Sequence, residues 1–261
     1  MTIVLIATLA YLIATAMLVR EVARDDGRDA RAWLVPALIA VGLHAAAHVS
    51  AWISTGGPDM HFFAALSLVA LGMALLTTAF GASGRMATLG VVVFPIAAVL
   101  LLLYAHAGHH IAEGLDWRLQ LHAWFALFAY ATLAIAALLA VMLWLQERAL
   151  RRRDIRGWLR ALPPLTELET LLFRTIAVGF VLLTATLLTG ILFVEDFFAQ
   201  HLLQKTVLSV LSWLAFGALL IGRRRYGWRG AVAAQWTLVA MALLVLAFFG
   251  SKFFMEIGPV A

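Results

Sequence analysis

The side chains with the widest chemical reach in this sequence are eight histidines, at positions 44, 48, 61, 106, 109, 110, 122 and 201. There is no cysteine, which excludes disulfides, iron–sulfur clusters, thiolate zinc sites and a catalytic thiol in this chain. Metal or cofactor ligation therefore falls to His, Met, carboxylate or Tyr. His44 and His48 stand four residues apart, so on a helix they share one face, about 6 Å apart along the axis. Imidazole is a default ligand for haem iron, zinc and copper, and a buried neutral ring needs a partner for its N–H. The pair has two readings: a ligand or proton-relay site facing a bundle interior, or interhelical hydrogen bonding to Ser or Thr without any cofactor. His122 lies in Leu121-His122-Ala123-Trp124, with Tyr130 two turns further on. At such a helix start an imidazole can meet the edge of a large planar cofactor while its second nitrogen stays hydrogen-bonded. His106, His109 and His110 look like a metal tract, but three histidines in an exposed loop are more simply solvated. The sequence has no Gly-rich phosphate loop, H-E-x-x-H motif, nucleophile elbow or carboxylate pair inside an apolar run, hence no self-contained catalytic constellation.

The elements that position these residues follow from composition. Of 261 residues, 64% are hydrophobic and 13% charged, about half the charge of a soluble domain. The apolar residues form long uninterrupted runs at 2–19, 33–53, 61–81, 86–107, 120–146, 170–194, 205–222 and 231–250. Each is near the ~20 residues that cross ~30 Å of hydrocarbon. Within lipid every backbone polar group must be paired inside its own segment, and no alternating barrel strands occur, so the runs are read as helices. The expected fold is an all-α integral membrane protein, one polytopic domain of about eight transmembrane helices over residues 1–261. Residues 147–169, with Pro163 and Pro164, read as a basic amphipathic loop lying on the membrane surface.

The loops alternate in charge. Arg20, Arg24, Arg28, Arg31, Arg85, the arginines from Arg148 to Arg160, and Arg223, Arg224, Arg225 and Arg229 all fall on one side; Arg118, Lys205 and Lys252 fall on the other. The positive-inside rule makes the arginine-rich side cytoplasmic and both termini extracytoplasmic. The net charge of +5 is thus a topology signal, and nucleic-acid binding is not expected. The first run, followed by arginines and lacking a basic leader, reads as an uncleaved anchor. Trp33, Trp144 and Trp158, with Trp52, Trp117 and Trp124 on the opposite side, fit interfacial belts. In this orientation all eight histidines are outside or in the outer half of the bilayer.

Several short motifs carry a family resemblance. They are Leu43-His44-Ala45, Ala65-Leu66-Ser67-Leu68, Leu121-His122 with Tyr130, and Leu162-Pro163-Pro164-Leu165 with Glu167 and Glu169. Gly179 to Thr184, Thr189-Gly190, Lys205-Thr206-Val207-Leu208-Ser209 with Trp213, Tyr226-Gly227-Trp228-Arg229-Gly230, and Phe249 to Phe253 follow in order. Together these resemble the cytochrome c assembly proteins, the CcsA (ResC) haem-handling family, and more closely its smaller YpjD/HemX-like members. The resemblance implies haem as cofactor, presented at the outer face by a tryptophan-rich segment flanked by external histidines. It implies cytochrome c maturation or haem-synthesis proteins as partners. His122 matches the first external histidine. The tryptophan-rich segment is replaced by Glu195 to Gln204, and no second external histidine occurs from Phe253 to Ala261. His201 is the substitute ligand this reading proposes, and His44 and His48 complete the cofactor-binding candidates. The competing expectation is a non-haem, HemX-like regulator or assembly factor acting through protein contacts. A small transporter is disfavoured, since no intramembrane Asp, Glu or Lys offers ion coupling.

Overall fold

Hydrocarbon leaves an apolar run no hydrogen-bonding partner but its own backbone, and the computed structural model answers that constraint with helix. It describes residues 1–24, 31–82, 87–108, 116–152, 163–193, 200–250 and 252–253. Eight helices follow in order: α1 Thr2–Arg24, α2 Leu34–Thr55, α3 Phe62–Gly81, α4 Gly90–Ala107, α5 Trp117–Arg151, α6 Leu165–Phe193, α7 Gln200–Tyr226 and α8 Gly230–Val245. Short 3-10 turns lead into α2 and α4, and a π-helical turn, Leu246–Gly250, prolongs α8. All eight are long and apolar enough to cross a membrane. The protein is an all-α, multi-pass membrane protein.

Helix ends differ from the hydropathy runs. α5 continues to Arg151 and α6 begins at Leu165, so both ends of the 147–169 segment are helical, and residues 153–162 lie outside the described residues. Pro163 and Pro164 precede α6, where a missing N–H is harmless; the Pro164 carbonyl accepts from the Glu167 and Leu168 amides. Backbone bonding does not stop where the side chains become charged, because Arg and Glu are good helix formers.

The chain divides into two compact units, Met1–Gly114 with Ile155–Pro163, and Leu115–Asp154 with Pro164–Ala261. In the first, α1 packs on α2 and α4, and α3 on α4 and α2, closing a ring of four. In the second, α5 packs on α6 and α8, and α7 on α6 and α8. The packing inverts soluble logic. On α1, Ala7, Ala10, Tyr11, Ala14 and Leu18 face inward while Ile3, Leu5, Ile6, Leu9, Leu12 and Ile13 face out. Lipid is as apolar as leucine, so helices gain by close approach over small residues and leave bulky ones to the acyl chains. Gly179 makes the same point in the second unit: a Cβ there would lie 2.5 Å from a methyl of buried Leu133 on α5.

Trp33 departs from the expected belt. It is 2% exposed and its indole fills a slot over Gly81, where a Cβ would sit 2.7 Å from the ring. It plugs one end of the first unit, while Trp52, Trp117 and Trp144 are the exposed belt tryptophans among the described residues, which do not include Trp158.

Candidate functional site

In the second unit, α5 and α7 begin at the end where α6 and α8 finish, and a cavity of about 540 Å³ opens among them. That volume falls within the ~300–1,000 Å³ typical of cofactor and small-molecule sites. Its walls are mostly apolar, including Ala126, Ala129, Leu183, Leu187, Ile191 and Phe248, and His122 lines it from α5. The arginines Arg148, Arg151 and Arg223–Arg225 lie in the opposite, closing turns of α5 and α7.

His122 is held in a defined protonation pattern. Its Nδ1 lies 3.2 Å from Thr189 Oγ1 on α6. That hydroxyl is 2.8 Å from the Ala185 carbonyl and 3.0 Å from that of Thr186. A hydroxyl has one proton, and the two carbonyls hold it, so toward the imidazole it can only accept. Nδ1 therefore donates, and in the neutral ring Nε2 keeps its lone pair as an acceptor or ligand. Gly190 completes the seat, since a Cβ there would come within 3.2 Å of His122 Cε1. The Thr189-Gly190 pair thus acts on His122 from across the helix interface.

Other polar groups on the cavity wall are satisfied by the protein. Trp213 Nε1 donates to Thr184 Oγ1 at 2.9 Å, and the Thr184 and Thr186 hydroxyls donate to their own helix at Phe180 and Leu182. Tyr130 donates to the Leu244 carbonyl, next to the π turn, where backbone bonding departs from the α pattern. At the other end of the unit, Glu169, its side chain 4% exposed, accepts from Arg229 at 2.9 Å and from the Gly230 amide at 2.9 Å. Gly230 has φ +55°, and a Cβ would meet Glu147 Oε2 at 2.7 Å, so only glycine suits that helix start. Motifs scattered along the sequence are therefore paired in space: Glu169 with Arg229-Gly230, Thr184 with Trp213, and Thr189-Gly190 with His122.

In the first unit, His44 and His48 meet at one hydroxyl. Ser67 Oγ on α3 lies 2.9 Å from His44 Nε2 and 3.0 Å from His48 Nε2. Tyr11 OH on α1 lies 3.1 Å from His44 Nδ1. If Tyr11 donates to His44, His44 to Ser67 and Ser67 to His48, every link is made with neutral groups; the reverse direction would leave the proton of the buried Tyr11 hydroxyl without an acceptor. His44 is wholly buried with both nitrogens engaged, so ligation there would mean surrendering a hydrogen bond. The ring of His48 stacks on Tyr104 at 4.4 Å.

His61 Nδ1 lies 2.6 Å from Asp59 Oδ1. His106 is exposed in the last turn of α4, and His109 and His110 lie outside the described residues. His201 falls in the first turn of α7, its side chain outside the described set. Among the described residues no three His, Asp or Glu side chains gather as a metal site. In the sequence Ser67, Thr189 and Gly190 stand out only as parts of motifs. A hydroxyl or glycine in a span, with a histidine elsewhere still lacking a partner, was the available signal.

The arrangement defines a class: a multi-pass helical membrane protein with a largely apolar intramembrane cavity fronted by one histidine whose outer nitrogen is left as acceptor. Comparison with known proteins gives the particular family. The model of the family described as cytochrome C assembly protein matches residues 33–257, and the chain belongs to that family. It is 30% identical over 252 residues, covering 95% of each chain, to inner membrane protein YpjD of Escherichia coli K12. It is 29% identical over 131 residues to protein HemX of Brevibacillus brevis, covering 49% of this chain and 48% of that one. Cytochrome c biogenesis protein CcsA of Prochlorococcus marinus is 33% identical over 89 residues, 33% of this chain and 28% of the relative. No solved structure gives a significant match.

Proposed function

We propose that the chain is a haem-handling membrane protein acting in or alongside cytochrome c biogenesis, and that it holds haem in the cavity of its second unit with His122 as iron ligand. The observation that carries this is the Thr189 hydroxyl, whose proton is held by its own helix, so that His122 donates from Nδ1 and keeps the Nε2 lone pair as an acceptor at an apolar cavity. A haem brings four nitrogen donors of its own, so a single protein imidazole is enough to add a ligand. That suits a wall offering one histidine and no cluster. His201, at the start of α7, is the sequence's candidate for a second ligand. His44 and His48 are given a different part, that of a neutral hydrogen-bonded pin within the first unit.

The arginine distribution supports an orientation with the cavity toward the extracytoplasmic side, both termini outside and Arg148, Arg151 and Arg223–Arg225 in the cytoplasm. Likeness to the E. coli protein supports the inner membrane as its location. The partners this reading calls for are proteins of cytochrome c maturation or haem synthesis.

The test is an absorption spectrum of protein purified in detergent from haem-replete cells, oxidised and reduced. A Soret band that disappears in His122→Ala and persists in His48→Ala is expected. A colourless wild-type protein that takes up no added haemin refutes the haem reading. It leaves the HemX-like alternative, a regulator acting by protein contacts.

A further inference from the structure

The end of the second unit remote from His122 carries a different assembly, at the corner where α7 turns into α8. After Tyr226 the chain reverses through Gly227, φ +65°, and the Trp228 amide donates to the Gly222 carbonyl at 3.2 Å. That turn lays the Trp228 indole back on α7 over Gly222, where a Cβ would sit 2.4 Å from the ring. The same indole stacks on Trp236 of α8, with ring centres 5.8 Å apart and planes at 17°, and Tyr226 lies tilted against it at 6.3 Å. Tyr226 and Trp236 are exposed and Trp228 half-buried, so the three rings form one open wall. Among the described residues neither indole N–H nor the Tyr226 hydroxyl is taken up by the protein, unlike the N–H of Trp213, which Thr184 accepts. Arg225 and Tyr226 stand three and four residues after Gly222 and so share its face of α7. Arg224 and Arg225 are exposed and have no acidic partner among the described residues. Their neighbours differ: Arg151 is paired with Glu147, and Arg223 and Arg229 with the buried Glu169.

Guanidinium and indole groups donate hydrogen bonds and accept none, so the corner is complementary to a ligand rich in acceptor oxygens. Two uncompensated guanidiniums also repel a headgroup that carries an ammonium. The aromatic wall starts beside the arginines and continues onto a membrane-crossing helix, which calls for an apolar body attached to the anion. A small free anion engages only the arginines and leaves the stacked rings unused. We infer that the α7–α8 corner binds an anionic glycerophospholipid from the leaflet at the arginine-rich end. Its phosphate sits on Arg225 and Arg224, its ester oxygens take the indole N–H groups, and an acyl chain runs beside Trp236. Tryptophan and tyrosine favour that headgroup depth, and basic clusters at a helix end attract anionic lipid. This site is separate from the cavity and independent of the haem reading.

The test uses full-length protein in detergent, titrated with dioleoylphosphatidylglycerol or dioleoylphosphatidylcholine, with bound lipid counted by native mass spectrometry. Two unpaired arginines at the membrane surface correspond to roughly a ten- to thirtyfold preference for the anionic lipid. Wild type is expected to show that preference. Arg224→Gln combined with Arg225→Gln is expected to lose it while keeping the wild-type melting temperature in lipid-free detergent, and the two lysine replacements to retain it. Arg20→Gln combined with Arg152→Gln removes the same charge from exposed arginines elsewhere and is expected to leave the preference intact. The water-soluble headgroup sn-glycerol 3-phosphate is expected not to displace the lipid. Equal binding of the two lipids by wild type, or a preference that survives the glutamine pair, overturns the inference. So does an equal fall in the charge-matched control, which marks a general field in place of a site. Displacement by sn-glycerol 3-phosphate overturns the lipid as occupant in favour of a free anion.

Discussion

Replacing Thr189 by valine probes the link between helix packing and ligand chemistry most directly. Valine keeps the branched shape and volume, so the α5–α6 interface and the Gly190 seat should persist. What it removes is the oxygen 3.2 Å from His122 Nδ1. A neutral hydrogen bond at the long end of the normal distance range is worth about 0.5–1 kcal/mol net. Once Nε2 ligates a metal the Nδ1–H is more acidic, and outer partners of this kind then govern affinity by about 10–100-fold. Taking the lower part of that range for a long bond, haemin affinity should fall about ten- to thirtyfold, equivalent to ~1.4–2 kcal/mol. Thr189→Ser, which keeps the oxygen, should remain near wild type. The assay is a haemin difference titration on detergent-purified variants, with thermal unfolding of the haem-free proteins as a folding control. If Thr189→Val binds haemin as tightly as wild type while His122→Ala loses it, the tautomer argument is wrong even though the ligand is right.

Two further outcomes depend on packing alone. Ser67→Ala withdraws the common partner of His44 and His48 and should destabilise the first unit by about 1–3 kcal/mol, the cost of stranding Nε2 of the wholly buried His44. Combined with His44→Leu the loss should be less than the sum of the singles, because the two changes remove one shared link; additive losses in unfolding titrations would contradict the shared-hydroxyl geometry. Glu169→Ala leaves Arg229, 58% exposed, free to rehydrate, but also removes the carboxylate that lies 3.6 Å from Arg223, 30% exposed, so its cost should be about 1–3 kcal/mol. The change should show first as protease cleavage near Arg229, where the Gly230 amide loses its acceptor; cleavage spread evenly over all loops would argue against a local clamp.

Much of the fold was legible because the solvent dictates it. Eight apolar runs near the length of a bilayer crossing become eight helices, and all eight expected spans correspond to helices of the structure. Hydropathy could not find the ends. Arg148 and Arg151 continue α5, and Glu167 and Glu169 open α6, since a helix propagates through charged residues as readily as through leucine. Trp33 shows a similar limit, for its belt-like position says nothing of the slot that Gly81 leaves across the unit.

The candidate site divides along the same line. Residue types and spacing singled out His44, His48 and His122, and motif order pointed to the family to which the chain belongs. Imidazole looks the same in sequence whether it ligates or merely packs. What distinguishes the two is where the second nitrogen's partner stands, and those partners lie 23 residues away for His44 and Ser67 and 67 residues away for His122 and Thr189. Composition and periodicity act locally along one helix, so the sequence determined membrane, helix and the chemistry on offer. Only the packing of one helix against another decided that His44 has both nitrogens engaged while His122 lines a cavity, because contact between helices depends on interhelical geometry that no single segment encodes.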